Sequence, residues 1–178
     1  FNYEVMADDL NEFITEHKIV DPIVLGHSMG GKTAMQFAMN YPDQLSKLIV
    51  ADIAPKPYPI HHDVILKGMF ALDFDVISSR READEELAKH IPDLSTRQFI
   101  LKNLYWKEKG KLDWRINLSV LKEEMPNILT EIPFETIDTN TLFIRGGKSN
   151  YILESDYPVL NQKFPNSEIY SLEDSGHW

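Results

Sequence analysis

Pro22-Ile23-Val24-Leu25-Gly26-His27-Ser28-Met29-Gly30-Gly31-Lys32-Thr33 is the stretch from which the rest of the chain takes its order. Its apolar start, bounded by a turn signal, reads as a short buried strand, and Ala34, Phe37, Ala38 and Tyr41 then recur at helical spacing. Ser28 therefore sits on a strand-to-helix turn. Two chemistries share these residues. Gly26-His27-Ser28-Met29-Gly30 matches the nucleophile elbow G-x-S-x-G, in which small residues two before and two after the serine allow a sharp turn that pushes the hydroxyl outward. Gly26 to Thr33 also spells G-x-x-x-x-G-K-T, a phosphate loop, whose lysine would face the β/γ-phosphates and whose hydroxyl would hold magnesium.

Chain order favours the elbow. Lys47-Leu48-Ile49-Val50-Ala51-Asp52 imitates the metal-holding strand of a phosphate-loop domain. Such a domain usually opens with its loop, however, and has no use for a histidine after a late strand, where this chain has His177. Only one helix fits between Thr33 and Asp52, which is normal for the step after an elbow. On this reading Lys32 is a solvated residue of the elbow helix.

Composition narrows the partners. A chain of 178 residues, 43% hydrophobic, with no repeat or low-complexity tract, is enough for one globular unit with a sizeable core. A net charge of −10 repels nucleic acid and anionic membrane surfaces, whereas a small uncharged or acyl-type ligand is acceptable. The lack of cysteine excludes disulfides and cysteine nucleophiles and fits a reducing, cytoplasmic compartment. No apolar run approaches a membrane-spanning length. Phe1 in place of Met, and Trp178 directly after His177, lead to the expectation of a chain cut at both ends, so that a signal peptide cannot be judged. Oligomeric state leaves no mark in the sequence.

Asn2 is expected to cap a helix running to about His17, followed by a strand at 22–25, the elbow, a helix stopping before Pro42 and a strand over 45–53. This is the α/β pattern, with a parallel sheet covered on both faces. From Ala54 to about Thr139 the pattern becomes helices with no convincing buried strand. Ser79-Arg80-Arg81-Glu82 and Ser95-Thr96-Arg97-Gln98 read as capping boxes, and a further helix is expected from Asn117 toward Leu129. Met69, Phe70, Phe74, Phe99, Leu104, Tyr105, Trp106 and Trp114 should mostly form the core of this insert, with a few lining a pocket. Strand character returns at Thr141–Arg145, a helix is expected over 154–164, and a last strand at 168–172 precedes the loop holding His177.

Ligands of open parallel sheets bind beyond the carboxyl ends of the strands. Ser28, Asp52, Ser149 and His177 each follow a strand in that way, so four loops are expected to meet at one site. Acyl chemistry at a serine needs a base for its proton and a carboxylate to orient that base. Ser28 and His177 fill the first two roles. His17, His61, His62 and His90 read as ordinary histidines. His61-His62-Asp63 has metal-ligand residue types but no further ligand at a telling spacing, so no metal site is expected.

Four marks in order, Gly26-His27-Ser28-Met29-Gly30-Gly31-Lys32, Asp52-Ile53-Ala54-Pro55 with Tyr58, Gly146-Gly147-Lys148-Ser149-Asn150-Tyr151-Ile152 and Gly176-His177-Trp178, resemble the α/β-hydrolase superfamily. They are most similar to its YbfF-like esterases and abhydrolase-domain-11 proteins. The resemblance implies the C-terminal part of an α/β-hydrolase: a mostly parallel sheet flanked by helices, with residues 1–53 and 140–178 as core and 54–139 as a helical cap insert. It implies a serine hydrolase acting on small-molecule acyl esters or thioesters, acyl-CoA among them, through an acyl-Ser28 intermediate, with no metal or organic cofactor. Most of the superfamily carries its acid where this chain has Ser149. The YbfF-like branch pairs an earlier Asp with a later Ser, which assigns the acid to Asp52 and a supporting hydrogen bond to Ser149. Asp156, Glu154 and Asp174 are the fallback acids. The Met29 N–H is the implied oxyanion donor, and the second comes from a loop that would precede Phe1. Acyl transfer to an alcohol on the same triad, and a binding scaffold without turnover, are the alternatives.

Overall fold

A computed structural model of the protein describes residues 2–59, 63–133 and 136–177. Along the chain run α1 (Tyr3–Glu16), β1 (Ile23–His27), α2 (Met29–Asn40), β2 (Lys47–Ala51), α3 (Asp63–Phe70), α4 (Arg80–Ala88), α5 (Leu94–Leu101), β3 (Leu104–Glu108), β4 (Lys111–Trp114), α6 (Leu118–Leu129), β5 (Thr141–Gly146), α7 (Tyr157–Lys163) and β6 (Ser167–Leu172). Two compact units result, one within residues 1–58 and 127–177, the other within 59–126. Among the described residues no helix is long and apolar enough to cross a membrane.

The first unit is built on a four-stranded parallel sheet in the order β1-β2-β5-β6. Asn2 caps α1 as expected, its side chain accepting the Val5 N–H at 2.9 Å. The short strands are rich in Ile, Val and Leu, and period-two alternation decides which side chains are buried. Val24, Leu48, Val50 and Phe143 point into a core shared with Ala7 and Ile14 of α1, Met35 and Phe37 of α2, and Leu160 and Phe164 at α7. The alternate residues do not follow them: Ile23 is 58% exposed, Leu25 62% and Tyr170 60%. The expectation of a sheet covered on both faces is therefore met on one face among the described residues, because α1, α2 and α7 share a single core.

Register positions the site. His27 pairs with Ala51, and Ala51 with Ile144. One residue further on, Ser28 donates its N–H to Ala51 O (3.0 Å) and Asp52 donates its own to Ile144 O (2.8 Å). Each carries the ladder one bond beyond its strand before the chain turns away.

The second unit has its own core, including Met69, Leu87, Ile100, Leu104 and Leu112. Ser79 caps α4, accepting the Glu82 N–H at 3.2 Å, but the Glu82 carboxylate returns to the Ser78 N–H (2.8 Å) instead of closing the box on Ser79. α5 starts earlier than Ser95: Asp93 is its cap and accepts the Thr96 N–H at 2.7 Å, while Ser95 donates its hydroxyl to Asp93. An ionised carboxylate is the stronger acceptor and takes the cap from the neighbouring serine. The expected all-helical insert is corrected by an antiparallel hairpin, β3 with β4, turning at Lys109-Gly110 with Gly110 at φ +80°. Of the large apolar residues, Phe74 and Trp114 pack edge to face at 5.7 Å, and Phe70 lines a hollow of about 540 Å³ together with Leu66, Ala71, Met125, Pro126, Lys67 and Lys122.

Candidate active site

Ser28 alone separates β1 from α2 and takes φ 54°, ψ −122°, a backbone region costly for a residue with a side chain. So abrupt a turn brings backbone against backbone. A Cβ on Gly26 would lie 2.1 Å from Gly30 O, and one on Gly31 would lie 2.5 Å from the Ile53 side chain and 3.2 Å from that of Val50. A Cβ on Gly30 would meet nothing within 4 Å. The small residues that the turn requires are thus Gly26 and Gly31, and the motif's second glycine is not the crowded one. A one-residue connection also leaves no run of backbone N–H groups to wrap a phosphate, which counts against the phosphate-loop reading.

Ser28, His177 and Asp52 lie hydrogen-bonded in series. His177 Nδ1 is 2.7 Å from Asp52 Oδ2, and His177 Nε2 is 2.9 Å from Ser28 Oγ. A carboxylate only accepts, so the ring proton belongs on Nδ1, which leaves Nε2 to accept the serine hydroxyl. Ser149 donates its hydroxyl to Asp52 Oδ2, and the Gly146 N–H donates to Asp52 Oδ1 at 3.0 Å. Burial pushes the Asp52 carboxyl up, but the hydrogen bonds from His177, Ser149 and Gly146 outweigh it and hold the group below the ordinary aspartate value. It is a carboxylate at neutral pH.

The fallback acids are engaged elsewhere. Asp156 pairs with Lys56 at 2.5 Å, Glu154 lies 3.8 Å from Arg145, and Asp174 lies 3.3 Å from Lys148. Met29 opens α2, where backbone N–H groups have no intrahelical acceptor and the helix dipole favours negative charge. Among the described residues no group of three His, Asp or Glu is placed to hold a metal ion. His61 and His62 lie outside those residues.

Lys32 departs from the sequence reading. It is 1% exposed, and its ammonium donates to Lys56 O at 2.9 Å and to Thr130 O, above the Tyr58 ring at 4.8 Å. Burial pulls its pKa from 10.5 down to about 8. Lysines are rarely fully buried, so residue type misled here, and no local signal marks the exception. The sequence also gave no role to His27. Its Nε2 donates to His177 O at 2.8 Å, and burial first, then the neighbouring His177, lowers its pKa.

Residues 1–89 match the alpha/beta hydrolase fold family. Over 183 residues the chain is 34% identical to the sn-1-specific diacylglycerol lipase ABHD11 of Danio rerio, a match covering 99% of this chain and 57% of that protein. It is 32% identical over 178 residues to Esterase YbfF of Escherichia coli (strain K12), covering 99% and 68%. A solved structure, Marine microorganism esterase, has a TM-score of 0.94 and 36% identity, over 100% of this chain and 71% of that one. The chain therefore belongs to the alpha/beta hydrolase family. Within the family it falls in the branch that holds YbfF and ABHD11, and it spans 57% of the length of the second and 68% of the first.

Proposed function

We propose that the protein is a serine hydrolase that cleaves carboxylic esters of small molecules. The observation that carries this reading is the unbroken series Ser28 Oγ, His177, Asp52, at 2.9 and 2.7 Å. In the proposed cycle, Ser28 Oγ bonds to the acyl carbon as its proton passes to His177 Nε2, and Asp52 stabilises the imidazolium. The Met29 N–H receives the developing oxyanion. Collapse expels the alcohol, which takes the proton from His177, and leaves an acyl-Ser28 ester. Water then attacks with His177 as base, the acid is released and Ser28 regains its proton.

Relatives named esterase and lipase support the ester class. Thioesters, acyl-CoA included, extend it on chemical grounds, since the same oxyanion forms. Residues 54–139 are assigned to substrate choice, a role to which the apolar hollow beside Phe70 lends support. The test is labelling by an active-site-directed fluorophosphonate alongside hydrolysis of p-nitrophenyl butyrate. Both should be lost in Ser28→Ala. Turnover that survives in Ser28→Ala refutes the assignment, and a wild type that neither labels nor turns over favours a binding scaffold.

A further inference from the structure

One face of the His177 imidazole is covered by the ring of Tyr151, with centroids 3.8 Å apart and planes inclined by 16°. Tyr151 is itself held on both sides of its backbone. Its N–H donates to Ser149 Oγ at 3.2 Å, and its carbonyl accepts the Tyr58 hydroxyl at 2.7 Å. The same Tyr58 oxygen accepts the Ala54 N–H at 2.8 Å, two residues beyond Asp52. One hydroxyl thus ties the loop that starts at the acid to the loop that carries the stacked ring. Tyr58 is fixed in turn by its 5.2 Å ring contact with Tyr151 and by the Lys32 ammonium above it. Burial raises the Tyr151 phenol, so its ring is neutral at working pH.

None of these contacts is needed to pass a proton from Ser28 to Asp52-bound His177. We infer that Tyr151 is a positioning residue for His177: its ring fixes the imidazole plane so that Nε2 faces Ser28, and its π face stabilises the imidazolium, with Tyr58 holding it in place. An aromatic face attracts a cation, and the imidazolium forms only as the serine is deprotonated. The gain therefore belongs to the transition state and appears in kcat rather than KM. Among the described residues the imidazole also faces the Asp52 carboxylate at 2.7 Å, the Ser28 hydroxyl at 2.9 Å and the His27 ring at 4.7 Å between centroids.

This inference rests on reading Ser28 and His177 as nucleophile and base. The experiment is the pH dependence of kcat and KM for p-nitrophenyl butyrate in the full-length protein, its Tyr151→Leu, Tyr151→Phe and Tyr58→Phe variants, and Ser28→Ala as background. Tyr151→Leu should lose roughly tenfold in kcat at unchanged KM, with the acid limb of the profile moved about half a pH unit lower. Tyr151→Phe, which keeps the stack, should restore both, and Tyr58→Phe should lower kcat about fivefold. A wild-type profile in Tyr151→Leu, or an equal loss in Tyr151→Phe, overturns the inference while Ser28-dependent turnover keeps the hydrolase reading intact. Wild-type turnover no higher than that of Ser28→Ala overturns both. Should Tyr151→Leu not fold, Tyr58→Phe carries the test, and unchanged kcat there overturns it.

Discussion

Ser28 and Asp52 stand one residue beyond neighbouring strands, at φ 54° and 50°, each donating its N–H to the strand alongside. They share a positive φ and a ladder bond, but the sequences around them differ. Ser28 must start a helix at once, so the chain doubles back and crowds Gly26 against the Gly30 backbone, while the helix start packs Gly31 against Ile53 and Val50. Asp52 leads into a loop through Pro55 and Pro57 with no helix starting at once, and no glycine stands within it. Aspartate also tolerates positive φ better than most residues, and here its carboxylate is held by the Gly146 N–H. A shared φ and ladder bond therefore leave a readable motif at one strand end and nothing at the other.

The strongest way to break this pairing is Asp52→Asn, which keeps the turn and removes the charge. If Asp52 orients His177, kcat/KM for p-nitrophenyl butyrate should fall by about 10⁴. Activity within tenfold of wild type would leave Asp52 a match to Ser28 in φ and ladder bond only. Next comes Gly26→Ala, whose Cβ collides with backbone at 2.1 Å and should destabilise the fold by about 3 kcal/mol in urea melts.

Lys32, buried in α2, gives a pH test. Its folded pKa of about 8 lies under the ordinary 10.5, so between those values the unfolded chain binds more protons and stability rises with pH. Lys32→Met should remove that rise, on the order of 2 kcal/mol between pH 7.5 and 10.5. Asp52 runs the opposite way in charge. With its pKa lowered from 3.8, its contribution is complete above that value and is lost as pH falls through the folded value, so acid melts of Asp52→Asn should be flatter there. The smallest effect is expected for Gly30→Ala, within about 0.5 kcal/mol or slightly stabilising, because its Cβ has room and alanine favours helix. A large loss there would return the steric burden to the motif's second glycine.

What the sequence revealed follows the same division. The strands of the first unit were legible because they are short apolar runs between turn residues, and α1 because Asn2 stands at a cap position. The four loops were legible as a set because parallel strands all end on one side. The hairpin of the second unit was not, since Leu104 to Trp114 mixes aromatics with lysines and its one cue is Gly110 at the turn. Asp93 was passed over for Ser95 because both are cap residues two positions apart, and only the structure shows which oxygen the Thr96 N–H meets. Lys32 and Tyr151 depend on contacts between segments distant in sequence, which no local pattern records.

Ser149 donates to the Asp52 oxygen that faces His177, so the loop after β5 and the base converge on one carboxylate oxygen at the end of β2. In the proposed triad this couples the residues at 52 and 149. An aspartate gained at 149 while Asp52 remains would set two like charges in contact and force one to keep a proton. Loss of Asp52 first would leave the imidazole with no counter-charge. In the proposed triad both single changes therefore leave an impaired protein, so the place of the acid and the residue at 149 have to change together.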